Sequence, residues 1–439
     1  MTAAPETTVS ARLLGLLARD LPLDRLTTDP AALAAYTTDR SGARPVGGPL
    51  AVVHARRTED VTVTLRHAHA LRVPVVPRGA GTGLSGGAGA GEGSLVLDLC
   101  GMNRILELSA DDQLAVVEPG VITAELDRAA GEHGLRYAGG LRCAKYGVTR
   151  DSVLGLEAVL ADGTVVRTGR RTVKGVTGYD LTALLTGSEG TLAVITSATL
   201  RLRPVPLATA TLAAYFDTFE AAAEASYAIQ RAGVVPALAE LVDGPVLHAI
   251  DPALRERGAA LLVVQCDGVG AAVEAEAVAR VVAPLAATVE TTCDRVEAES
   301  LLAARRLALP ALERLGRPLI EDIVVPRSRL AEAVREIRAI SVRHDVPVFT
   351  IAHAADGNLH PIVVVDPALR ELPDAAWEAA GEIFALALRL GGTLTGEHGV
   401  GVLKRQWVAE ELGPAAHGLQ RRIKEVFDPH GILNPGKGL

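Results

Sequence analysis

A chain of 439 residues is too long for one compact core, so two domains, or three, are expected. Its formal charge of -8 counts against a nucleic-acid partner, which needs a basic surface, and against an electrostatic hold on anionic lipid. Hydrophobic residues at 49% and charged residues at 22% suit a globular protein, and no apolar run is long enough to cross a bilayer. The apolar run Leu13–Leu17 is too short for a secretory signal and lacks the basic segment that precedes one. A cytoplasmic protein is expected, at most peripheral to the inner membrane face. Cys100, Cys143, Cys266 and Cys293 form no CxxC pair, so neither an iron–sulfur cluster nor a zinc knuckle is expected. Any one-electron relay then lies on another polypeptide.

Residues 1–46 read as a helical lead-in with one amphipathic stretch, Leu13–Leu21. Strands are predicted at Leu50–Val53, Pro74–Val76, Ser94–Leu99 and Leu114–Glu118, and helices at Glu59–Leu71 and Val121–His133. Longer strand regions follow at Val153–Val166 and Thr191–Leu202, and Pro204 and Pro206 mark a domain boundary. The second half predicts helices at Thr218–Ala232, Ala271–Ala283, Val296–Leu309, Arg327–His344, Ala375–Leu390 and Leu403–Phe427. Its strands are Leu238–Asp243, Ala260–Cys266, Thr288–Cys293 and Ile320–Val325, with a hairpin around Asp356. The alternation points to an α+β fold with antiparallel pairing.

Residues 74–93 read PVVPRGAGTGLSGGAGAGEG. Gly81 to Gly86 spell G-x-G-x-x-G, but a dinucleotide fingerprint must open a helix, and Gly87, Gly89, Gly91 and Gly93 would melt one. The loop therefore joins two strands. Its glycines let backbone N–H groups turn inward around an anion such as a pyrophosphate. The stretch PRGAGTGLSGGA resembles the pyrophosphate loop of FAD-binding domains of the vanillyl-alcohol oxidase type. Covalent members of that family carry a His in this loop. Leu84 and Ser85 stand there instead, which implies non-covalent FAD.

The resemblance continues through Lys145–Gly169, Gly178–Thr196 and Phe427–Leu439. It implies a two-subdomain FAD-binding domain at 47–204, a substrate or cap domain at 205–426 and a C-terminal return to the flavin at 427–439. Pro77, Arg78, Gly79, Gly81, Thr82, Gly83, Leu84 and Ser85 would hold the phosphates. Glu189, Gly190 and Ile195 would line the flavin and its adenosine half, and Asn434 would lie near the isoalloxazine. One segment departs. After His133–Tyr137 relatives run through a proline-rich turn and an Ile-Gly-Gly-Asn loop, but here Tyr137 meets Ala138-Gly139-Gly140-Leu141-Arg142 directly. Gly140 would then be what is left of a second backbone clamp on FAD. Each lost hydrogen bond to a charged group is worth roughly 1.5–3 kcal/mol, so weakened FAD binding is expected.

Residues 352–361 read AHAADGNLHP. Asp356-Gly357 between strand-like runs is a type I′ hairpin signal. With those two as the loop, His353 opposes His360, and opposed residues share one face about 4.5–5.5 Å apart. Two imidazoles so placed can chelate one ion. Glu397 and His398, between glycines in GTLTGEHGVG, supply a further carboxylate and imidazole. HAADGNLHP and GEHGVG resemble the paired motifs of FAD-dependent glycolate, D-lactate and D-2-hydroxyglutarate dehydrogenases, though Ala355 stands where many relatives have Gly. That resemblance implies a divalent metal (Zn, Mn or Fe) on His353, His360 and Glu397, with His398 as the base. Arg305 or Arg306 can grip a substrate carboxylate, the family pattern favouring Arg305, and Asn358 can hydrogen-bond the substrate. The implied activity is oxidation of a small D-2-hydroxy acid, with electrons passed to a separate protein or quinone by a homodimer or hetero-oligomer. The alternative is an FAD-poor, non-catalytic scaffold subunit.

Overall fold

A computed structural model describes residues 8–140, 142–369 and 372–439. These form two compact units. The first contains the chain up to Ala138, Thr149–Val205 and His398–Leu439; the second contains Gly139–Val148 and Pro206–Glu397. The boundary after Val205 lies one residue from the expected one, but residues 139–148 and 398–426 fall in the other unit from the one expected. Residues 139–148 join the second unit because Lys145 and Tyr146 bond to Asp267, and Arg142 to Gln265. The C-terminal part of the first unit begins at His398 instead of Phe427, because Val400 and Gly401 donate to Glu189, and Val402 to Ser85. Leu141 and residues 1–7 of the lead-in lie outside the described residues.

In the first unit the strands run in the order Leu26–Thr27, Ala51–His54, Leu95–Asp98, Val75–Arg78, the last three mutually parallel. AVVH and LVLD are almost wholly buried, as expected of a parallel sheet covered on both faces. The helices Val9–Asp20 and Thr58–Leu71 contribute Leu13, Leu17, Val61 and Leu65 to the core with Val53, Val75, Leu95 and Leu97. A five-stranded antiparallel sheet follows the order Ile105–Ser109, Leu114–Val117, Val194–Arg201, Val153–Val159, Val165–Gly169. The single region expected at Val153–Val166 is therefore two strands. Gly163, at φ +88, turns the chain between them, and Asp162 accepts from the Thr164 N–H.

The second unit is built on an eight-stranded sheet whose pairings are antiparallel. Thr209–Phe216, to which the sequence pattern assigns no element, is a strand between Ala260–Asp267 and Thr288–Thr292. Leu238–Asp243 follows, then the hairpin strands Val348–His353 and Asn358–Val365. The helix Arg295–Leu315 presses Ala304, Ala308 and Leu312 onto the face that carries Val242, Val263, Ile351 and Ile362. Small side chains at helical spacing let that helix sit close to the sheet. Fully burying Leu312 or Ile362 contributes roughly 1.5–3 kcal/mol each. Among the described residues no helix is long and apolar enough to cross a membrane.

Candidate active site

The hairpin loop is two residues longer than the Asp356-Gly357 count expects, because the first strand ends at His353 instead of Ala355. His353 pairs with Asn358, and Ile351 pairs with His360. A four-residue turn results because the N–H groups of Asp356 and Gly357 both reach back to the His353 carbonyl, and Ala354 donates to Ala239 on the neighbouring strand. A slip of two residues preserves side-chain parity, so both imidazoles still share a face. Their ring centroids are 5.0 Å apart.

Glu240 pairs directly with His353 on the adjacent strand and has no exposed side-chain surface. Its Oε1 lies 2.7 Å from His353 Nδ1, and its Oε2 accepts from Arg305 Nε at 2.6 Å. With Nδ1 engaged, His353 Nε2 turns to Glu397 Oε1 at 3.4 Å, and His360 Nε2 lies 3.4 Å from the same oxygen. The three side chains offer donor atoms within 4.8 Å of one another. Donors about 2.0–2.1 Å from a tetrahedral metal stand roughly 3.4 Å apart, so the spacing of the two imidazoles from Glu397 would suit a divalent ion. Both imidazoles are buried, whereas the Glu397 side chain is 40% exposed.

The electrostatics follow from this packing. Burial opposes a charge on His353, but Glu240, with Glu397 adding, outweighs it and pushes the imidazole up to about 10. Hydrogen bonds from His353 and His360 hold the Glu397 carboxyl below the usual carboxylate range. Asp322, fully buried, organises the other side. It accepts from Thr395 Oγ1, from the N–H groups of Gly396 and Glu397, and from Asn358 Nδ2 at 2.6 Å, and it faces His360 Nδ1 at 3.8 Å. Asn358 Nδ2 also donates to the Ile323 carbonyl, so as a donor Asn358 serves Asp322 and its strand. Arg306 pairs with Glu299 on the exposed helix surface, away from Glu240.

In the first unit the carbonyls of Gly81 and Gly83 accept from Arg40 and Ser41. Among the described residues no partner takes the N–H groups from Gly79 to Leu84. Carbonyls turned back and amides left over are what a pyrophosphate needs.

Residues 49–138 match the model of the FAD binding domain, and 205–438 match the FAD linked oxidases, C-terminal domain. The chain belongs to the FAD-linked oxidase family. It is 41% identical to the glycolate oxidase subunit GlcD of Bacillus subtilis, over 89% of this chain and 88% of that one. It is 36% identical to the D-lactate dehydrogenase of Archaeoglobus fulgidus, over 88% and 90%. Its fold, of the vanillyl-alcohol oxidase type, is that of p-cresol methylhydroxylase with substrate bound, at a TM-score of 0.79 and 17% identity over 98% and 96% of the two chains.

Other residues of this FAD-linked oxidase expected at the cofactor are placed as follows. Arg78 buttresses the glycine loop from behind, donating to the carbonyls of Thr38, Ala88 and Ala35, while Thr82 is exposed on the loop. Gly190, at φ +68, lies against the Pro77 ring, where a Cβ would come within 2.9 Å. Ile195 packs beside Leu185 and Leu192 on the antiparallel sheet. Asn434 donates to the carbonyls of Gly87 and Glu189. Gly140 belongs to the second unit. Sequence reasoning missed Glu240 and Asp322. The available signal was a carboxylate inside an apolar strand in each of LAELVD and LIEDIVV.

Proposed function

We propose that this FAD-linked oxidoreductase oxidises a small D-2-hydroxy acid, of glycolate or D-lactate size, to the 2-oxo acid. The convergence of His353, His360 and Glu397 carries the reading. These three would hold a divalent ion, Zn, Mn or Fe, which when bound supplies the Lewis acidity that lowers a hydroxyl pKa. FAD, held by the glycine loop, supplies the two-electron acceptor. Arg305, fixed through Nε to Glu240, presents the rest of its guanidinium to a carboxylate in the bidentate geometry that group favours. His398 takes the hydroxyl proton as general base. Glu240 orients the His353 imidazole, as carboxylates behind metal-ligating histidines do, and Asp322 holds the backbone of Glu397 while its carboxylate faces His360. The relative named as a glycolate oxidase subunit supports a separate electron acceptor or a hetero-oligomer.

The test is dye reduction by purified protein with glycolate, D-lactate and L-lactate, alongside metal analysis. Turnover with the first two and its loss on chelation are expected. His398→Ala should keep flavin and metal but lower turnover by about 10²–10⁴-fold. Unchanged turnover after chelation, or in His353→Ala, would remove the metal from the reaction.

A further inference from the structure

Glu189 is a non-glycine residue at φ +52, a costly backbone conformation that surrounding contacts must hold. Asn434 Nδ2 supplies one, at 2.7 Å to the Glu189 carbonyl. The side chain then reaches the segment that follows His398. Glu189 Oε1 accepts from the Val400 N–H at 2.8 Å, and Oε2 accepts from the Gly401 N–H at 2.7 Å. Ser85, in the glycine loop and 3% exposed, grips the same segment. Its hydroxyl lies 2.9 Å from the His398 carbonyl and 2.8 Å from the Gly399 carbonyl, and its own carbonyl accepts from Val402 at 2.8 Å. The fit is close. A Cβ on Gly401 would come within 1.9 Å of the Ser85 carbonyl oxygen, and one on Gly399 within 3.1 Å of Glu189 Oε1.

Two residues that the family pattern would assign to the cofactor thus direct their side chains to the backbone of residues 398–401. We propose that Glu189 and Ser85 are positioning residues for His398, fixing the loop that carries the base; this rests on the reading of His398 as base. A base acts only within hydrogen-bond reach of its proton, and a displacement of about 1 Å can cost on the order of 10²-fold in rate. Ordering of the glycine loop and placement of the base are then one structural event.

The experiment compares Glu189→Gln, Ser85→Ala, His398→Ala and the Glu189→Gln/His398→Ala double variant. Gln keeps the volume but offers one acceptor for two N–H groups, and Ala removes the hydroxyl grip. For Glu189→Gln and Ser85→Ala, turnover should fall on the order of 10–10²-fold. KM should stay close to wild type, the acid limb of the kcat/KM–pH profile should move, and flavin content and the urea midpoint should match wild type. The double variant should be no slower than His398→Ala, since Glu189 acts through that imidazole. Flavin loss in proportion to activity would overturn the proposal, because the residues would then hold the cofactor. Additive losses in the double variant, or wild-type turnover and pH profile in both single variants, would also overturn it. Failure of the base reading would instead be seen as wild-type turnover in His398→Ala alone.

Discussion

Glu240 shows how one side chain decides what its neighbours can do. Fully buried and shared between His353 Nδ1 and Arg305 Nε, it fixes the orientation of a ring that would hold a metal and of a guanidinium that would grip a carboxylate. Glu240→Gln should therefore lower metal affinity by about 10–100-fold, the usual effect of losing such a partner, and raise KM for the acid. A metal titration followed by steady-state kinetics checks both. The candidate ligands were legible as a group, because His353, His360 and Glu397 sit in short motifs of chemically specific residues, and their side chains do converge. Glu240 was not, because it stands 113 residues from the ring it orients and only the sheet brings them together. Lys437 is equally silent in the sequence. It is 7% exposed, donates to the Gly89 carbonyl, and burial pushes its ammonium down to about 8. A folded-state value below the unfolded one means that, from pH 8 up to about 10.5, the unfolded chain binds the proton more tightly. Stability should rise across that window and be flat just below it. The difference in urea midpoint between wild type and Lys437→Met should be constant below pH 8 and shift in favour of wild type from pH 8 to 10.

At the scale of elements, the hairpin explains why an inexact count still put the histidines together. Register errors of two residues preserve the face, whereas a slip of one would have sent His360 to the opposite side. The turn's true length depends on contacts from outside the hairpin, which local motif reading does not contain. Gly357, at φ +85, donates to the His353 carbonyl and accepts from Val325, and a Cβ there would come within 2.2 Å of the Val325 oxygen. Gly233, at φ +79 after the helix Phe219–Arg231, has open space where its Cβ would stand. Gly233→Ala should then cost about 1 kcal/mol from backbone strain alone. Gly357→Ala should cost clearly more and weaken metal binding as well, measured by urea midpoint and metal titration. Equal costs would mean the turn relaxes freely. The strand Thr209–Phe216 was missed for a related reason. TATLAAYF is buried at nearly every position, so it shows no alternation, and its alanines carry little strand preference.

For the whole molecule, motifs pointed to the FAD-binding domain and to the hairpin that brings His353 and His360 together, but not to how the chain between Tyr137 and Thr149 is used. That stretch lacks the second FAD loop of relatives, and its remaining residues are fastened to the second unit through Asp267. Within the first unit, residues 171–180 are exposed throughout, with Val173, Val176 and Tyr179 at 88%, 98% and 96%. Among the described residues nothing takes the amides from Gly79 to Leu84, and if they hold the phosphates as proposed, FAD should still bind. Water can replace missing donors at modest enthalpic loss, but it cannot hold a ring in place. The protein should therefore purify with less than one FAD per chain and lose more on dialysis. Inserting a family-type loop containing Ile-Gly-Gly-Asn after Tyr137 should raise flavin content and turnover together, and should slow proteolysis at Tyr179. Stoichiometric flavin that survives extensive dialysis in the unaltered chain would show that the loop Gly79–Leu84 suffices, and the insertion would then change neither quantity.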